Sequence, residues 1–215
     1  MTFAFDIDGV IVDVNKTVQQ YLRKTHNLTY KQLGVQYIWP KRLSEFEGVF
    51  DEMIRLDIER FIFQSFDYIQ DSIYRTAILS SMKTLGKQGH KIYIITNRPI
   101  YTKDVTRQCF PEDVAEHIED FLFFEEGIDT EGNEDLFKIK RCQSVNVDVL
   151  IDDRADNIKA FAETTKHGFW FVDEIPEADR INEITKLNSV IVCDSSNLKK
   201  KLREVIYNVN SSERH

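Results

Sequence analysis

The chain has 215 residues, of which 42% are apolar and 30% charged, enough for one domain of ordinary size with a real core. Eight Gly and four Pro exclude collagen-like and linker-rich chains, and the net charge of −8 argues against a basic face that coats duplex nucleic acid. Apolar runs such as Phe121–Phe124 and Val190–Cys193 are far too short to cross a membrane, and no apolar signal run follows Met1.

Taken in chain order, short β-rich runs are predicted as strands at Thr2–Ile7, Lys91–Ile95, Phe121–Phe124, Val147–Ile151, Gly168–Val172 and Ser189–Cys193. Helices are predicted between them at Lys103–Cys109, Glu134–Ser144 and Asp156–Thr165. Strands apolar on both faces, alternating with helices, imply an α/β fold with a doubly wound, Rossmann-like parallel sheet. The interval between the first two strands exceeds what one crossover helix needs. Asp71–Gly89 supplies that crossover, with Ile73, Ala77, Ile78, Met82 and Leu85 at helical spacing. The surplus, 14–68, reads as a small helical cap with helices at Asn15–Thr25, Leu43–Ile54 and Asp57–Phe66 and a break at Trp39-Pro40. The α/β core is then 1–13 plus 69–215.

Cys109, Cys142 and Cys193 are widely spaced with no Cys-x-x-Cys pair, which speaks against a disulfide framework or zinc site and for a reducing, cytoplasmic setting. His26, His90, His117, His167 and His215 are isolated and read as solvated or satisfied side chains. Any chemistry therefore falls to carboxylates. Asp6 and Asp8 leave the end of the first strand just before Gly9, and Asp152-Asp153 end the strand Val147–Ile151. Parallel strands put such ends on one edge, so the two pairs can meet. Clustered carboxylates repel unless a cation neutralises them, and an oxygen-only set favours a hard ion such as Mg²⁺. Each pair alone is also an ordinary turn or helix cap. Thr96, at the end of the second strand, offers a hydroxyl and loop N–H groups on the same edge, which suits phosphate. Lys138, fourteen residues before Asp152, could reach that crevice as a point charge, with Lys140 and Lys103 as rivals.

These features, in this order, resemble the haloacid dehalogenase superfamily of phosphohydrolases. Its first motif, Asp-x-Asp-Gly-x-x-x-Asp, is met by Asp6 to Asp13; its second falls on Thr96, its third on Lys138 and its fourth on Asp152-Asp153. The resemblance implies that Asp6 is the nucleophile, forming an aspartyl-phosphate, and that Asp8 is the general acid and base. It also implies that Thr96, Asn97 and Lys138 hold the phosphoryl oxygens. Asp6, the Asp8 backbone carbonyl and Asp153 would bind Mg²⁺, with Asp152 a further ligand or a group behind it. As an acid, Asp8 is expected to hold a proton near pH 7, a rise of about three units from ~3.9, or roughly 4 kcal/mol. Asp at this position, where the superfamily's ATPases have Thr, implies hydrolysis of a phosphomonoester.

Thr96-Asn97-Arg98-Pro99 and Ile151-Asp152-Asp153-Arg154 look most like the 5′(3′)-deoxyribonucleotidase branch, which implies a nucleoside monophosphate substrate. Cap aromatics Tyr21, Tyr30, Tyr37, Trp39, Phe46 and Phe50 could stack on a base or simply form the cap's core. Arg98 and Arg154 could contact substrate or form ion pairs. Two alternatives remain: a sugar-phosphate or other metabolite phosphatase, and a non-catalytic binder of phosphorylated ligands. A dinucleotide-binding oxidoreductase would need Gly-x-Gly-x-x-Gly after the first strand, where this chain has Asp8-Gly9-Val10-Ile11-Val12.

Overall fold

Six parallel strands form one sheet in the order β3-β2-β1-β4-β5-β6 in a computed structural model of the protein. The structure describes residues 1–33, 51–125, 134–164, 166–172, 181–182, 184–187 and 189–212. The strands are β1 (Thr2–Phe5), β2 (Lys91–Pro99), β3 (Asp120–Phe124), β4 (Val149–Asp152), β5 (His167–Phe171) and β6 (Val190–Cys193). The helices are α1 (Val14–His26), α2 (Glu52–Gln64), α3 (Phe66–Gln70), α4 (Thr76–Lys87), α5 (Lys103–Cys109), α6 (Glu112–Ala115), α7 (Glu134–Ser144), α8 (Ala155–Ala162) and α9 (Leu198–Ser212).

Strict alternation along each strand builds two cores. Phe3, Phe5, Ile92, Ile94, Val149, Ile151, Phe169 and Phe171 face one side, where α1, α4 and α9 bring Val18, Leu22, Ile78, Met82 and Leu202. Ala4, Ile95, Leu150 and Trp170 face the other, against Phe137 of α7 and Ile158 and Phe161 of α8. A parallel sheet covered on both faces needs apolar residues at every position, which is why these strands read as continuous apolar runs. From β1 the chain winds outward through β2 and β3, then crosses to β4 on the other flank. The direction therefore reverses between β1 and β4, and open α/β sheets form their ligand crevice at that point.

Several boundaries differ from expectation. The predicted helices Leu43–Ile54 and Asp57–Phe66 straddle one continuous α2, with Asp51 capping its start through Met53 N. No Gly or Pro lies at 55–56 to break the helix, and the true interruption is Ser65, whose hydroxyl caps α3. Residues 34–50, including the Trp39-Pro40 break, lie outside the described residues. The crossover helix starts at Thr76 rather than Asp71, because 73–75 do another job. Tyr74 bridges antiparallel to Val12, Arg75 N donates to the Ile11 carbonyl, and Asp13 N donates to the Ile73 carbonyl. The outgoing and returning chains are thus laced together where helices α1 to α3 are inserted. Ile58, Phe61, Tyr68 and Ile69 of α2 and α3 join the same buried cluster as the sheet. Among the described residues, no helix is long and apolar enough to cross a membrane.

Candidate active site

Register alone brings the two acidic pairs together. Phe5 pairs with Ile151, so the next residues, Asp6 and Asp152, stand level, and Asp6 N donates to the Ile151 carbonyl at 2.9 Å. After Asp6 the chain turns sharply: Ile11 N and Val12 N both donate to the Ile7 carbonyl, at 2.9 and 2.8 Å. Gly9 has φ 86°, a left-handed conformation that side-chain-bearing residues resist. This tight loop keeps Asp8 over the strand ends.

Lys138 of α7 reaches the crevice although its helix packs beside the sheet. Its Nζ lies 2.6 Å from Asp6 Oδ2 and 2.7 Å from Asp152 Oδ2, and the side chain is 2% exposed. Asp6 and Asp152 hold the lysine charged against burial, well above its ordinary pKa. Lys140, its sequence rival, faces solvent. Asp152 is fully enclosed: Asn157 Nδ2 donates to both oxygens at 3.1 Å and Arg154 N donates to Oδ1 at 2.8 Å. The Asp153 backbone carbonyl accepts from Trp170 Nε1 at 3.0 Å, which ties the acidic loop to β5.

Carboxylate oxygens of Asp6, Asp152 and Asp153 lie within 4.8 Å of one another. Lys138 lies against two of these three buried carboxylates. Burial pushes the Asp6 carboxyl upward and Asp152 adds to that, while Lys138 opposes both. Oxygen-only donors gathered this closely fit a divalent hard cation such as Mg²⁺.

Asp8 has a different setting. Arg98 Nε donates to its Oδ2 at 2.8 Å and Arg98 Nη2 to its Oδ1 at 2.7 Å, while the Tyr68 hydroxyl donates to Oδ1 at 2.7 Å. Burial alone would raise the Asp8 carboxyl, but the Arg98 guanidinium and the Tyr68 hydroxyl outweigh it, so the pKa falls below its ordinary value. The expected proton on Asp8 near pH 7 is therefore corrected for the free protein: the positive charge of the buried Arg98 outweighs the burial that favours the protonated form. The Tyr68 phenol, raised by burial and by Asp8, stays a donor.

Thr96 is buried at the tip of β2, its Oγ1 accepting from Arg98 N at 3.2 Å, whereas Asn97 beside it is exposed. Asp13, the last aspartate of the first motif, lies outside the cluster: it caps α1 through Lys16 N and pairs with Arg75 at 3.1 Å. The open alternatives for Tyr21 and Tyr30 resolve toward packing. Tyr21 stacks on Phe61 and donates to Asp57, and Tyr30 is buried with its hydroxyl on the Asn15 carbonyl. Tyr37, Trp39, Phe46 and Phe50 lie outside the described residues. His26 is engaged by Asp57 at 2.7 Å.

Sequence reasoning missed Tyr68, Asn157 and Trp170. Tyr68 sits in α3, where an aromatic at helical spacing reads as core. Asn157 lies five residues after Asp152, one turn into the helix that follows the acidic strand end, and that spacing could have flagged it.

Comparison with solved structures agrees with this geometry. A predicted phosphatase from Clostridium acetobutylicum superposes with a TM-score of 0.60 at 15% identity, covering 94% of this chain and 98% of that one. A haloacid dehalogenase-like hydrolase from Streptococcus pneumoniae gives 0.59 at 14% identity over 94% and 97%. A haloacid dehalogenase family hydrolase from Deinococcus radiodurans, solved with bound phosphate and sodium, gives 0.59 at 16% identity over 94% and 95%. What these structures share with the chain is the fold. By sequence, a candidate nucleotidase from Bacillus cereus is 25% identical over 205 residues, covering 89% of this chain and 98% of its own length. No family model matches the chain.

Proposed function

We propose that this protein is a Mg²⁺-dependent phosphatase of the haloacid dehalogenase type that hydrolyses a small phosphomonoester, with nucleoside monophosphates the first class to try. One observation carries the reading: buried carboxylate oxygens of Asp6, Asp152 and Asp153 gather within 4.8 Å of one another at the sheet's switch point, with Lys138 against two of them. A divalent cation held there would supply the positive charge that lets a phosphate dianion lie beside an ionised aspartate.

In this reading Asp6 attacks phosphorus; the new bond joins its carboxylate oxygen to phosphorus as the bond to the leaving oxygen breaks. Asp8, ionised against Arg98 in the free protein, would take up a proton from solvent as substrate binds and give it to that oxygen, then take one from water as the water attacks phosphorus and frees Asp6. Thr96, Lys138 and the N–H groups of the Asn97 loop steady the phosphoryl oxygens. Asp6, Asp153 and the Asp8 backbone carbonyl would hold Mg²⁺, which supplies charge neutralisation at the phosphoryl group. Asp152 acts behind them, since Lys138, Asn157 and Arg154 N already occupy its oxygens. Helices α1 to α3, from which Tyr68 reaches Asp8, would form part of a cap over the crevice. The nucleotide preference is supported by the Bacillus cereus relative and by the Thr-Asn-Arg-Pro and Ile-Asp-Asp-Arg signatures.

Purified protein should be assayed with Mg²⁺ against p-nitrophenyl phosphate, nucleoside monophosphates and sugar phosphates. Turnover of nucleotides above sugar phosphates supports the whole reading. The reverse order keeps the phosphatase and removes the nucleotide, and no turnover of any phosphomonoester refutes both.

A further inference from the structure

Helix α2 is apolar on two opposite sides. Ile58 and Phe61 are buried on the side that joins the core cluster, with Ile54 and Ile62 partly buried against it. On the far side Met53, Leu56 and Phe63 stand in solvent, Met53 at 79% and Phe63 at 55% exposure. With Arg60 they follow the i, i+3, i+7, i+10 spacing of one helical face. A helix that is apolar on both sides lacks a neighbour on one of them. Phe66 follows on α3, beyond the Ser65 break, and its exposed ring meets the Tyr101 ring edge-on at 6.4 Å. Among the described residues, seven large apolar side chains are exposed, and six of them lie on α2, on α3 and in the turn after β2: Met53, Leu56, Phe63, Phe66, Ile100 and Tyr101. Their exposed surface amounts to roughly 700 Å², above the ~300–600 Å² of the largest patch on an ordinary monomer and near the ~800 Å² that each partner gives to a standard interface.

We propose that the outer face of α2 is the two-fold interface of a homodimer, in which the α2 helices of two copies pack antiparallel. The choice of a second copy follows from the stripe itself. A two-fold contact requires that residue i meet residue j while j meets i. The intervals along Met53, Leu56, Arg60 and Phe63 are three, four and three residues, the same read in either direction. Antiparallel pairing centred at Ile58 therefore lays Met53 of one copy over Phe63 of the other, and Leu56 along the methylene stem of Arg60. The same axis brings Arg55 and Arg60 of one copy within a turn of Glu59 and Asp57 of the other, so opposite charges flank the apolar contact. Self-pairing needs a palindromic stripe, and an unrelated partner does not. The interface would also brace the inserted helices, whose inner side carries Tyr68. It is independent of the reaction proposed above.

The test is sedimentation of the full chain from about 1 to about 100 µM, where mass action sets the fraction paired. Wild type should approach twice the mass of one chain as concentration rises. Met53→Lys and Phe63→Glu, both at exposed helix positions, should each weaken pairing about 30-fold or more while circular dichroism stays native. Mixed in equal amounts, the two variants should pair again, because the introduced ammonium then faces the introduced carboxylate and the native Met53 and Phe63 meet at the other end. The double variant Met53→Lys, Phe63→Glu should pair with itself for the same reason. Tyr207→Glu, at the exposed apolar residue outside the patch, should leave pairing within about twofold of wild type. A single-chain mass for wild type at every concentration overturns the proposal, and so does a dimer that Met53→Lys and Phe63→Glu leave intact or that Tyr207→Glu breaks. Failure of the mixture and the double variant to pair overturns the antiparallel register. A monomeric wild type in which Phe63→Glu raises KM for a phosphomonoester would assign the stripe to substrate and overturn the dimer.

Discussion

Asp6 and Asp13 bracket the same loop and are buried to nearly the same degree, at 6% and 5% exposure, yet they live in opposite electrostatic settings. Asp13 is saturated: Lys16 N caps one oxygen, Arg75 and the Lys16 ammonium neutralise the other, and its backbone laces the outgoing chain to Ile73. Asp6 instead shares Lys138 with Asp152 and stands beside Asp153, and burial and Asp152 raise its carboxyl against the pull of the lysine. Burial does not distinguish a structural carboxylate from a reactive one. The company it keeps does, because clustered carboxylates that share one ammonium repel each other until a cation from outside joins them.

The sharpest way to break this contrast is Asp6→Asn, which keeps the shape and removes the nucleophile. Turnover of p-nitrophenyl phosphate should fall by about 10⁴-fold or more while circular dichroism stays native. Retained activity would mean that the carboxylate cluster marks something other than the nucleophile. Next in size, Lys138→Ala should cost about 100- to 1,000-fold in kcat/KM, and Lys140→Ala under about twofold, since Lys138 touches two carboxylates and Lys140 faces solvent.

Metal linkage sharpens the same contrast. Without a divalent ion, the folded chain holds the Asp6 proton more tightly than the unfolded chain, because burial raises that carboxyl. Stability therefore falls as pH climbs from the ordinary carboxylate value through the raised one. Mg²⁺ binds the ionised form and competes with that proton, so its stabilising increment should grow with pH across the window. Thermal scans at about pH 5 and about pH 8, with and without Mg²⁺, check this; an increment that shrinks with pH contradicts it. Asp8 contributes the opposite slope at the acid end, where its depressed pKa means that stability is lost as pH drops through it. The smallest expected effect is at the balanced partner. Asp13→Ala should lower stability by about 2 kcal/mol, or a Tm fall of about 4–8 °C, with kcat/KM within about threefold of wild type.

Much of the architecture could be read from the chain because strand-rich apolar runs, helix periodicity and acidic strand tips are local signals. α5 and α7 match their expected spans, and each strand lies within a few residues of its run. The insertion was harder. Arg55 and Leu56 look like an interruption only because two helical patterns meet there, and Ser65, the true break, carries no strong signal until its capping role is seen. At the site, topology alone could bring Asp6, Asp152 and Asp153 together, whereas only the family resemblance singles out Lys138 from Lys140 and Lys103. Arg98 could not be assigned, because only the irregular end of β2 decides which way it turns. Tyr68 was invisible for a related reason: one hydrogen bond across 60 residues leaves no periodicity in sequence. The protonated Asp8 failed because the count of nearby charges omitted that arginine.

The most direct measurement is acid quenching of a single turnover with phosphorus-labelled substrate, followed by mapping of the label. The account predicts a transient acyl phosphate on the peptide carrying Asp6, formed with Mg²⁺ and missing from Asp6→Asn. Label on another residue, or full turnover by the Asp6→Asn protein, would contradict it.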